Sequence, residues 1–246
     1  MQFIGIIPAR FASTRFPGKP LVEIKGKSMI HRVYDQAMLA GCFSSVVVAT
    51  DDERIFDHVK RFGNAVYTSP EHPSGTDRCF EVALGLERKW NIKPNDVIVN
   101  IQGDEPFIHP SQIQEICQCF QYEQVNIATL IRKINDTEVL FNENVVKVVV
   151  DKNGKALYFS RSPIPFFRGK EKDEWVSSAD YYKHIGMYAY RYKVLGEITR
   201  LKGAFLENTE SLEQLRWLEN GVQVHTRITA LESRAVDTPE DLNHFK

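Results

Sequence analysis

The chain has 246 residues, of which 43% are hydrophobic, so it is long enough for one large domain with a sizeable core. Its 31 Lys and Arg residues balance 32 Asp and Glu residues, which gives a formal net charge of −1. This balance argues against a general nucleic-acid or membrane-surface binder, because both depend on an excess of positive charge. Any anion-binding site must therefore be a local cluster of cations.

The first half of the chain alternates short apolar runs with amphipathic segments of helical period. The runs predict buried strands, and the amphipathic segments predict helices. Strands that are buried on both faces and separated by helices indicate a Rossmann-like α/β fold, with a mostly parallel sheet and helices on both faces. In chain order the predicted elements are strand Phe3–Pro8, helix Ser28–Ala40, strand Val46–Ala49, a helix from Asp51 to Gly63, strand Ala65–Thr68, helix Thr76–Trp90 and strand Asp96–Ile101.

The second half has antiparallel character. Asp151–Gly154 stands between two apolar runs and predicts a β-hairpin. We expect residues 145–192 to form a small antiparallel β insertion, a lid or dimerisation flap, within a single domain of residues 1–246. The predicted elements are strands Val145–Val150 and Ala156–Ser160, a Pro-rich stretch Ser162–Phe167, a mobile charged loop Arg168–Glu174, strand His184–Tyr192, helix Asn208–Asn220, strand Val222–Arg227 and a helix start at Thr238 and Pro239.

The cysteines and the amino terminus indicate the cellular compartment of the protein. Cys42, Cys79, Cys117 and Cys119 form no CxxC pair, so we expect ordinary thiols in a reducing compartment. The chain enters a strand directly, without the basic region and cleavage site of a secretory signal. No apolar run approaches the roughly 20 residues that cross a bilayer. These features predict a cytoplasmic location.

A loop with three cations follows the first predicted strand. Arg10, Arg15 and Lys19 accompany the small-residue turn Ala12–Thr14 and a flexible Gly18. The loop matches neither GxxxxGK[ST] nor GxGxxG, so it is neither a Walker loop nor a dinucleotide fingerprint. Arg and Lys make the strong, charge-assisted contacts that a triphosphate needs. By charge alone, a solvated surface loop explains the pattern equally well.

Arg10, Asp51 and Asp104 each follow the carboxyl end of a predicted strand, where parallel sheets bind ligands. Asp104 is well placed for Mg²⁺, which takes one or two carboxylates and leaves its other positions to water and phosphate oxygens. Alternatively, Asp104 closes a turn through its own backbone. Asp237 has a similar ambiguity, because it precedes a helix start. N-capping of the next helix is the simpler explanation of Asp51 and Asp52, which we leave out of the site.

The segment Pro73–Arg78 joins a predicted strand to a helix with small residues, which allow a base or ribose to approach backbone N–H groups. Helix capping by Ser74 or Thr76 explains the pattern equally well. Four further residues are polar within otherwise apolar elements. A satisfied core histidine and a solvated helix face are their ordinary explanations. They are His184, Tyr188, Glu213 and Gln214.

Ordered motifs give the chain a family resemblance. Residues 7–21, IPARFASTRFPGKPL, closely resemble the signature of the cytidylyltransferases that activate acidic sugars. Six further blocks look like the 3-deoxy-manno-octulosonate (Kdo) group of that family. The resemblance runs in order from residue 3 to residue 245 and is weakest in the charged loop 168–178. The blocks are HPSGTDR (72–78), VNIQGDEP (99–106), ALYFSR (156–161), HIGMY (184–188), LEQLR (212–216) and VDTPEDL (236–242).

The resemblance implies a nucleotide-diphospho-sugar transferase fold and a homodimeric enzyme with Mg²⁺ as cofactor. It implies transfer of CMP from CTP to the anomeric hydroxyl of Kdo, with release of pyrophosphate, for lipopolysaccharide biosynthesis. It also implies roles for individual residues: Arg10, Lys19 and Asp104 as catalytic; Ala9, Arg10, Ser13, Arg15, Lys19, Ser74, Gly75, Thr76 and Arg78 as CTP-binding; Gln102, Arg161, His184, Tyr188, Glu213 and Gln214 as sugar-binding; Asp104 and Asp237 as metal ligands.

Two alternatives stay open. One is a cytidylyltransferase for another acidic sugar, such as a sialic acid or 8-amino-Kdo. The other is a non-catalytic nucleotide-binding regulator. The regulator is disfavoured because both expected metal acids and all three loop cations are present.

Overall fold

The computed structural model describes residues 1–12, 16–232, 235–236 and 238–245. Three predicted site residues, Ser13, Arg15 and Asp237, lie outside these ranges. The strands are β1 (Phe3–Ala9), β2 (Glu23–Ile24), β3 (Lys27–Ser28), β4 (Ser45–Thr50), β5 (Ala65–Tyr67), β6 (Val97–Asn100), β7 (Ile127–Ile134), β8 (Lys147–Val150), β9 (Ala156–Ser160), β10 (Tyr181–Arg191) and β11 (His225–Ile228).

The helices alternate with these strands in the first half of the chain. They are α1 (Met29–Leu39), α2 (Glu53–Val59), α3 (Gly75–Trp90), α4 (Pro110–Gln118), α5 (Thr137–Phe141), α6 (Trp175–Ser178), α7 (Tyr192–Ile198), α8 (Phe205–Glu210) and α9 (Glu213–Glu219). Segments of 3₁₀ helix lie at Lys19–Leu21, Cys119–Gln121, Lys172–Glu174 and Pro239–Phe245.

Four parallel strands confirm the predicted Rossmann-like arrangement. β1 pairs in parallel with β6 on one side and with β4 on the other, and β4 pairs with β5. Successive side chains of a strand point to opposite faces. Accordingly, Ile7 belongs to a buried cluster with Val33 of α1, whereas Ile6 belongs to a second cluster with Val82 of α3. The apolar runs are therefore buried by helices on both faces of the sheet.

Beyond β6 the sheet continues with β10, which is antiparallel to its neighbours, and then with β7 and β11, which pair in parallel. Its order is β11-β7-β10-β6-β1-β4-β5, and the hairpin of β8 and β9 attaches to β10. β10 is antiparallel to both β6 and β7. The predicted antiparallel insertion is thus present and continuous with the central sheet, while β2 and β3 form a separate small sheet. β7 is absent from the predicted elements.

One predicted helix, residues 208–220, is wrong, because the structure has two helices there, α8 and α9. Ser211 has a positive φ of 53° and ends α8. Arg161 contributes to the break, since its Nε donates to the Glu210 carbonyl at 2.8 Å. This long-range contact leaves no trace in the helical periodicity of the sequence. The new helix starts at Glu213, one of the predicted sugar-binding residues.

The charged segment 168–174 has more regular structure than its composition predicts. It ends in the 3₁₀ turn Lys172–Glu174, which leads directly into α6. Trp175 is buried there, and its indole Nε1 donates to the Lys170 carbonyl at 3.1 Å. The aromatic core of this region therefore extends to the end of the charged segment.

The cysteines agree with the prediction of ordinary thiols. All four are free, and Cys42 Sγ lies 3.6 Å from Cys117 Sγ. Across the described ranges, none of the helices combines the length and the apolar character that a membrane span requires.

Candidate active site

The carboxyl ends of β1 and β6 bring the opening loop and the predicted metal acid together. Arg10 follows β1 and Asp104 follows β6, and these two strands are parallel neighbours. Gly103 permits their close approach, because a Cβ at this position would lie 2.5 Å from the Pro8 carbonyl oxygen. The glycine of this motif is therefore required by the packing of two strand ends.

Lys19 and Asp104 form an ion pair at this edge of the sheet. Lys19 Nζ lies 2.9 Å from Asp104 Oδ2, and the two side chains are 13% and 29% exposed. Gly18, with a φ of 72°, turns the chain into the 3₁₀ helix that carries Lys19, and its N–H donates to the Phe11 carbonyl at 2.9 Å. The cation predicted for phosphate and the acid predicted for metal therefore meet within reach of solvent.

Arg10 is held by the loop between β5 and α3. Its guanidinium donates to the carbonyl of His72. The His72 ring Nε2 lies 2.5 Å from Glu81 Oε2, and Glu81 also accepts from the Ser69 N–H at 3.0 Å. A carboxylate of α3 thus fixes the loop, and the loop fixes the direction of Arg10.

Two predicted nucleotide-binding hydroxyls contact a predicted sugar-binding acid. Ser74 caps α3, and its Oγ lies 2.9 Å from Glu213 Oε1. Thr76 Oγ1 donates to Glu213 Oε2 at 2.8 Å, and Arg216 forms an ion pair with the same carboxylate at 2.9 Å. Burial raises the pKa of Glu213, while the hydrogen bonds from Thr76 and Ser74 oppose this shift. Glu213, a predicted sugar-binding residue, thus contacts two predicted nucleotide-binding residues.

The remaining predicted CTP-binding residues occupy different depths. Ala9 is buried at the end of β1, and a Cβ at Gly75 would contact Pro8 of the same strand at 3.5 Å. Arg78 is fully buried, with its guanidinium 2.8 Å from Asp51 Oδ2. It also donates to the hydroxyl of Thr68. The structure therefore places Arg78 behind the Ser74–Thr76 segment, with Asp51 as its counter-ion.

Predicted sugar-binding residues lie where β10 passes the end of β6. Gln102 Nε2 donates to the Gly186 carbonyl at 2.8 Å. The register of β10 against β7 shifts between Ile185 and Tyr188, and Thr129 Oγ1 donates to the Met187 carbonyl in this bulge at 2.8 Å. The bulge therefore contacts the loop after β6 through Gln102, two residues before Asp104.

His184 is neutral and oriented. Its Nε2 lies 3.0 Å from Thr129 Oγ1, whose own proton points to a backbone carbonyl. His184 Nε2 therefore donates to the hydroxyl, which leaves Nδ1 as the acceptor. The ring lies between Phe159 and Tyr188, with centroid separations of 5.3 Å and 5.1 Å. Burial lowers the pKa of His184 to about 3.

Two buried polar atoms at this edge lack hydrogen-bond partners among the described residues. They are Tyr188 Oη and Asn100 Oδ1, and their residues face each other in the pairing of β10 with β6. Because buried polar groups are normally paired, such atoms indicate a ligand or ordered water. The sequence alone predicts no role for Asn100. Its signal is a polar residue that ends an otherwise apolar strand.

A cavity of about 400 Å³ opens beside His184. One wall comes from the turn before β8 and another from the first half of β10. Its size suits a small-molecule ligand. The lining residues are Glu105, Asn144, Val145, Val146, Lys183, His184, Ile185, Gly186 and Ala235.

Two further residues predicted to bind the sugar are Arg161 and Gln214. Arg161 donates from its guanidinium to the carbonyls of Glu143 at 3.2 Å and Ser211 at 3.4 Å, besides that of Glu210. Gln214 is buried in α9, next to Glu213. The structure thus links Arg161 to the turn before β8 and to the break before α9.

Asp104 provides one carboxylate that is suited to a magnesium ion. The described residues contain no group of three His, Cys, Asp or Glu side chains that could hold a metal. Mg²⁺ does not need one, since one or two carboxylates suffice alongside water and substrate phosphates. Asp104 offers a partly exposed carboxylate, and the Val236 N–H donates to its backbone carbonyl at 2.8 Å. The residue before Asp237 thus contacts the Asp104 loop.

The profile of the cytidylyltransferase family matches residues 4–228, and the chain belongs to this family. Within it, the chain is similar to the 3-deoxy-manno-octulosonate cytidylyltransferases. A protein of this name from Cytophaga hutchinsonii is 54% identical, over 98% of this chain and 95% of the relative. Another from Parabacteroides distasonis is 55% identical, over 98% of this chain and 96% of the relative. These findings confirm the family predicted from the ordered motifs.

Solved structures confirm the predicted fold class. The structure of CMP:2-keto-3-deoxy-manno-octonic acid synthetase complexed with CTP has a TM-score of 0.89 and 39% identity to this chain, and covers 99% of this chain and 96% of that one. A 4-diphosphocytidyl-2C-methyl-D-erythritol synthase from Anaerococcus prevotii has a TM-score of 0.61 at 13% identity over 99% and 96% of the two chains, which shows the fold alone.

Proposed function

We propose that this chain transfers CMP from CTP to the anomeric hydroxyl of Kdo and releases pyrophosphate. The observation that carries the proposal is the 2.9 Å contact of Lys19 with Asp104 at the edge of the sheet. A cation suited to phosphate and an acid suited to Mg²⁺ meet there, near the cavity walled by His184 and Gly186. The similarity to a synthetase complexed with CTP supports the same reaction.

The chemistry requires two anions to meet, because the acidic sugar carries a carboxylate and CTP carries a triphosphate. Arg10 and Lys19 reduce this repulsion by binding phosphate oxygens through charge-assisted contacts. They also neutralise the charge that develops on the departing pyrophosphate. For this purpose Lys19 exchanges its contact with Asp104 for a phosphate oxygen.

Asp104 and Asp237 are the residues we propose as ligands of Mg²⁺. When bound, the ion supplies positive charge to phosphate oxygens and polarises the α-phosphorus. Asp104 supports this role through its partly exposed carboxylate beside Lys19. Asp237 is proposed from the family resemblance alone.

The sugar side of the site orients the attacking hydroxyl. Neutral His184 offers Nδ1 as an acceptor, and Tyr188 offers a buried hydroxyl without a protein partner among the described residues. Glu213 contacts Ser74 and Thr76, so the sugar and the nucleotide are held by one connected set of side chains. Orientation of this kind can be worth about 7–11 kcal/mol of the barrier.

Pyrophosphate release measured with purified chain tests the proposal. The assay combines CTP, UTP or ATP with Kdo, 8-amino-Kdo or a sialic acid, with Mg²⁺ or with a chelator. We expect release with CTP, Kdo and Mg²⁺ together. Preference for another acidic sugar would favour the first alternative. CTP binding without release for any sugar would favour the regulatory alternative and overturn the proposal.

We further propose a cytoplasmic homodimer that associates through residues 145–192. Two apolar side chains in this region support the contact, since Phe166 is 76% exposed and Leu157 is 61% exposed. Apolar surface of this kind is typical of protein interfaces. Light scattering on the chain and on Leu157→Glu tests the association, and a wild-type monomer would contradict it.

A further inference from the structure

Lys147 of β8 is fully buried, although it belongs to none of the sets of residues described above. Its ammonium donates to the carbonyls of Asn142 at 2.9 Å, of Val145 at 2.5 Å and of Arg161. An ammonium has three N–H donors and no acceptor, so three carbonyls match its protonated form. A lysine is rarely buried unless it is paired, and here its partners are all backbone oxygens.

Two of these carbonyls belong to the turn of residues 142–146, which forms one wall of the 400 Å³ cavity. Val145 lines the cavity and accepts from Lys147 directly. His184, on the other wall, is tied to the same turn, because its backbone N–H donates to the Val146 carbonyl at 2.9 Å. Lys147 therefore holds a segment to which a predicted sugar-binding residue is attached.

The third carbonyl belongs to Arg161, at the end of β9. Arg161 in turn donates from its guanidinium to the Glu143 carbonyl at 3.2 Å, within the same turn. Lys147 and Arg161 thus hold residues 142–146 from two sides, and Lys147 also fixes the backbone of Arg161. Two cations thus stabilise one cavity wall, and the guanidinium of Arg161 is the kind of group that binds a carboxylate.

We propose that Lys147 is a positioning residue for the acidic sugar. It does not touch the sugar; it fixes the cavity wall and Arg161 in the geometry that receives the sugar carboxylate. The inference rests on the proposed function, in that it assigns the cavity to the sugar substrate. It goes beyond that function by assigning a role to a buried residue that the ordered motifs do not single out.

The test compares Lys147→Met, which removes the charge and the donors, with Lys152→Met as matched control. Lys152 is exposed in the turn that joins β8 to β9. For Lys147→Met we expect KM for Kdo to rise about tenfold, as for a displaced binding group, while KM for CTP stays within about twofold. Lys147→Gln retains two N–H donors and should fall between the wild type and Lys147→Met. Lys152→Met should match the wild type.

Hydrogen exchange supplies a second readout that does not depend on turnover. Backbone exchange should become faster at residues 142–146 in Lys147→Met and stay unchanged in β1 and β6. Equal changes in both KM values, unchanged kinetics, or failure of both Lys147 variants to fold would overturn the proposal. If the wild-type chain does not use Kdo, the proposed function fails, and unchanged exchange at residues 142–146 would separately remove the positioning role.

Discussion

The two sides of the candidate site, which we propose for the nucleotide and for the sugar, differ in physical character. On the nucleotide side, Lys19 and Asp104 are partly exposed charges that pair with each other. On the sugar side, His184 is a neutral ring enclosed by aromatic groups, and its tautomer is fixed by Thr129. A flexible polyanion can displace an exposed ion pair, whereas a compact sugar requires acceptors and donors that are already oriented. The nucleotide side should therefore be sensitive to charge, and the sugar side to geometry.

The largest effect should come from removing the charge of Asp104 without changing its shape. We expect Asp104→Asn to lower kcat by about 10³-fold, equivalent to about 4 kcal/mol of transition-state stabilisation. The fold should survive, because the side chain is partly exposed. Pyrophosphate release gives the rate and thermal unfolding the stability. Asp180→Asn, which removes an exposed acid 2.5 Å from Lys133, is the control and should behave as wild type. Near-normal turnover of Asp104→Asn would refute a metal role.

A substitution of Lys19 also tests the nucleotide side, but by removing a positive charge. We expect Lys19→Ala to lower kcat/KM for CTP by about 10²-fold, because one charge-assisted phosphate contact is lost. The KM for the sugar should change much less. Lys27→Ala is a matched control, since Lys27 is an exposed lysine paired with Asp35 at 2.6 Å. Unchanged kinetics with CTP would remove Lys19 from the phosphate-binding set.

The proximity of the opening loop and Asp104 could be predicted from the sequence. Carboxyl ends of parallel strands meet at one edge, so locating the strands Phe3–Pro8 and Asp96–Ile101 also brings Arg10 close to Asp104. Gly103 is visible in the motif as a permissive residue, although the close approach that requires it, to the Pro8 carbonyl, is between two strands. Local pattern was therefore enough to predict this proximity.

The sugar side could not be predicted in the same way, because its geometry depends on pairings between distant parts of the chain. Thr129 lies in β7, a strand absent from the predicted elements, and orients His184 across 55 positions of sequence. Glu213 meets Ser74 across 139 positions, from a helix that begins after the break at Ser211. Periodicity carries no information about such contacts.

His184 predicts a dependence of stability on pH. Its pKa is about 3 in the folded chain, below the unfolded value of about 6.5. As the pH falls, His184 of the unfolded chain therefore binds a proton before His184 of the folded chain does. The contribution of neutral His184 to the free energy of unfolding is complete above about pH 6.5 and is lost toward pH 3. Between pH 7 and pH 5 this group alone should lower the free energy of unfolding by up to about 2 kcal/mol.

The measurement is urea unfolding at both pH values for the wild type and for His184→Gln, which removes the titrating group. The variant should lose less stability than the wild type over this interval. Parallel losses in the wild type and His184→Gln would contradict a neutral, enclosed imidazole.

A substitution of Glu213 should give the smallest of these effects. It tests whether the nucleotide side and the sugar side of the site depend on each other. Gln at this position keeps an acceptor for Thr76 but removes the charge that faces Arg216. We expect Glu213→Gln to lower kcat/KM about tenfold for CTP and for the sugar alike, near 1.4 kcal/mol in each case.

Glu207→Gln is the matched control, because Glu207 lies 3.6 Å from the same Arg216 but on α8, with no contact to Ser74 or Thr76 among the described hydrogen bonds. An effect on the sugar alone would show that Ser74 and Thr76 bind nucleotide independently of α9. An equal effect on both substrates would instead make this carboxylate the physical connection between a side governed by charge and a side governed by geometry.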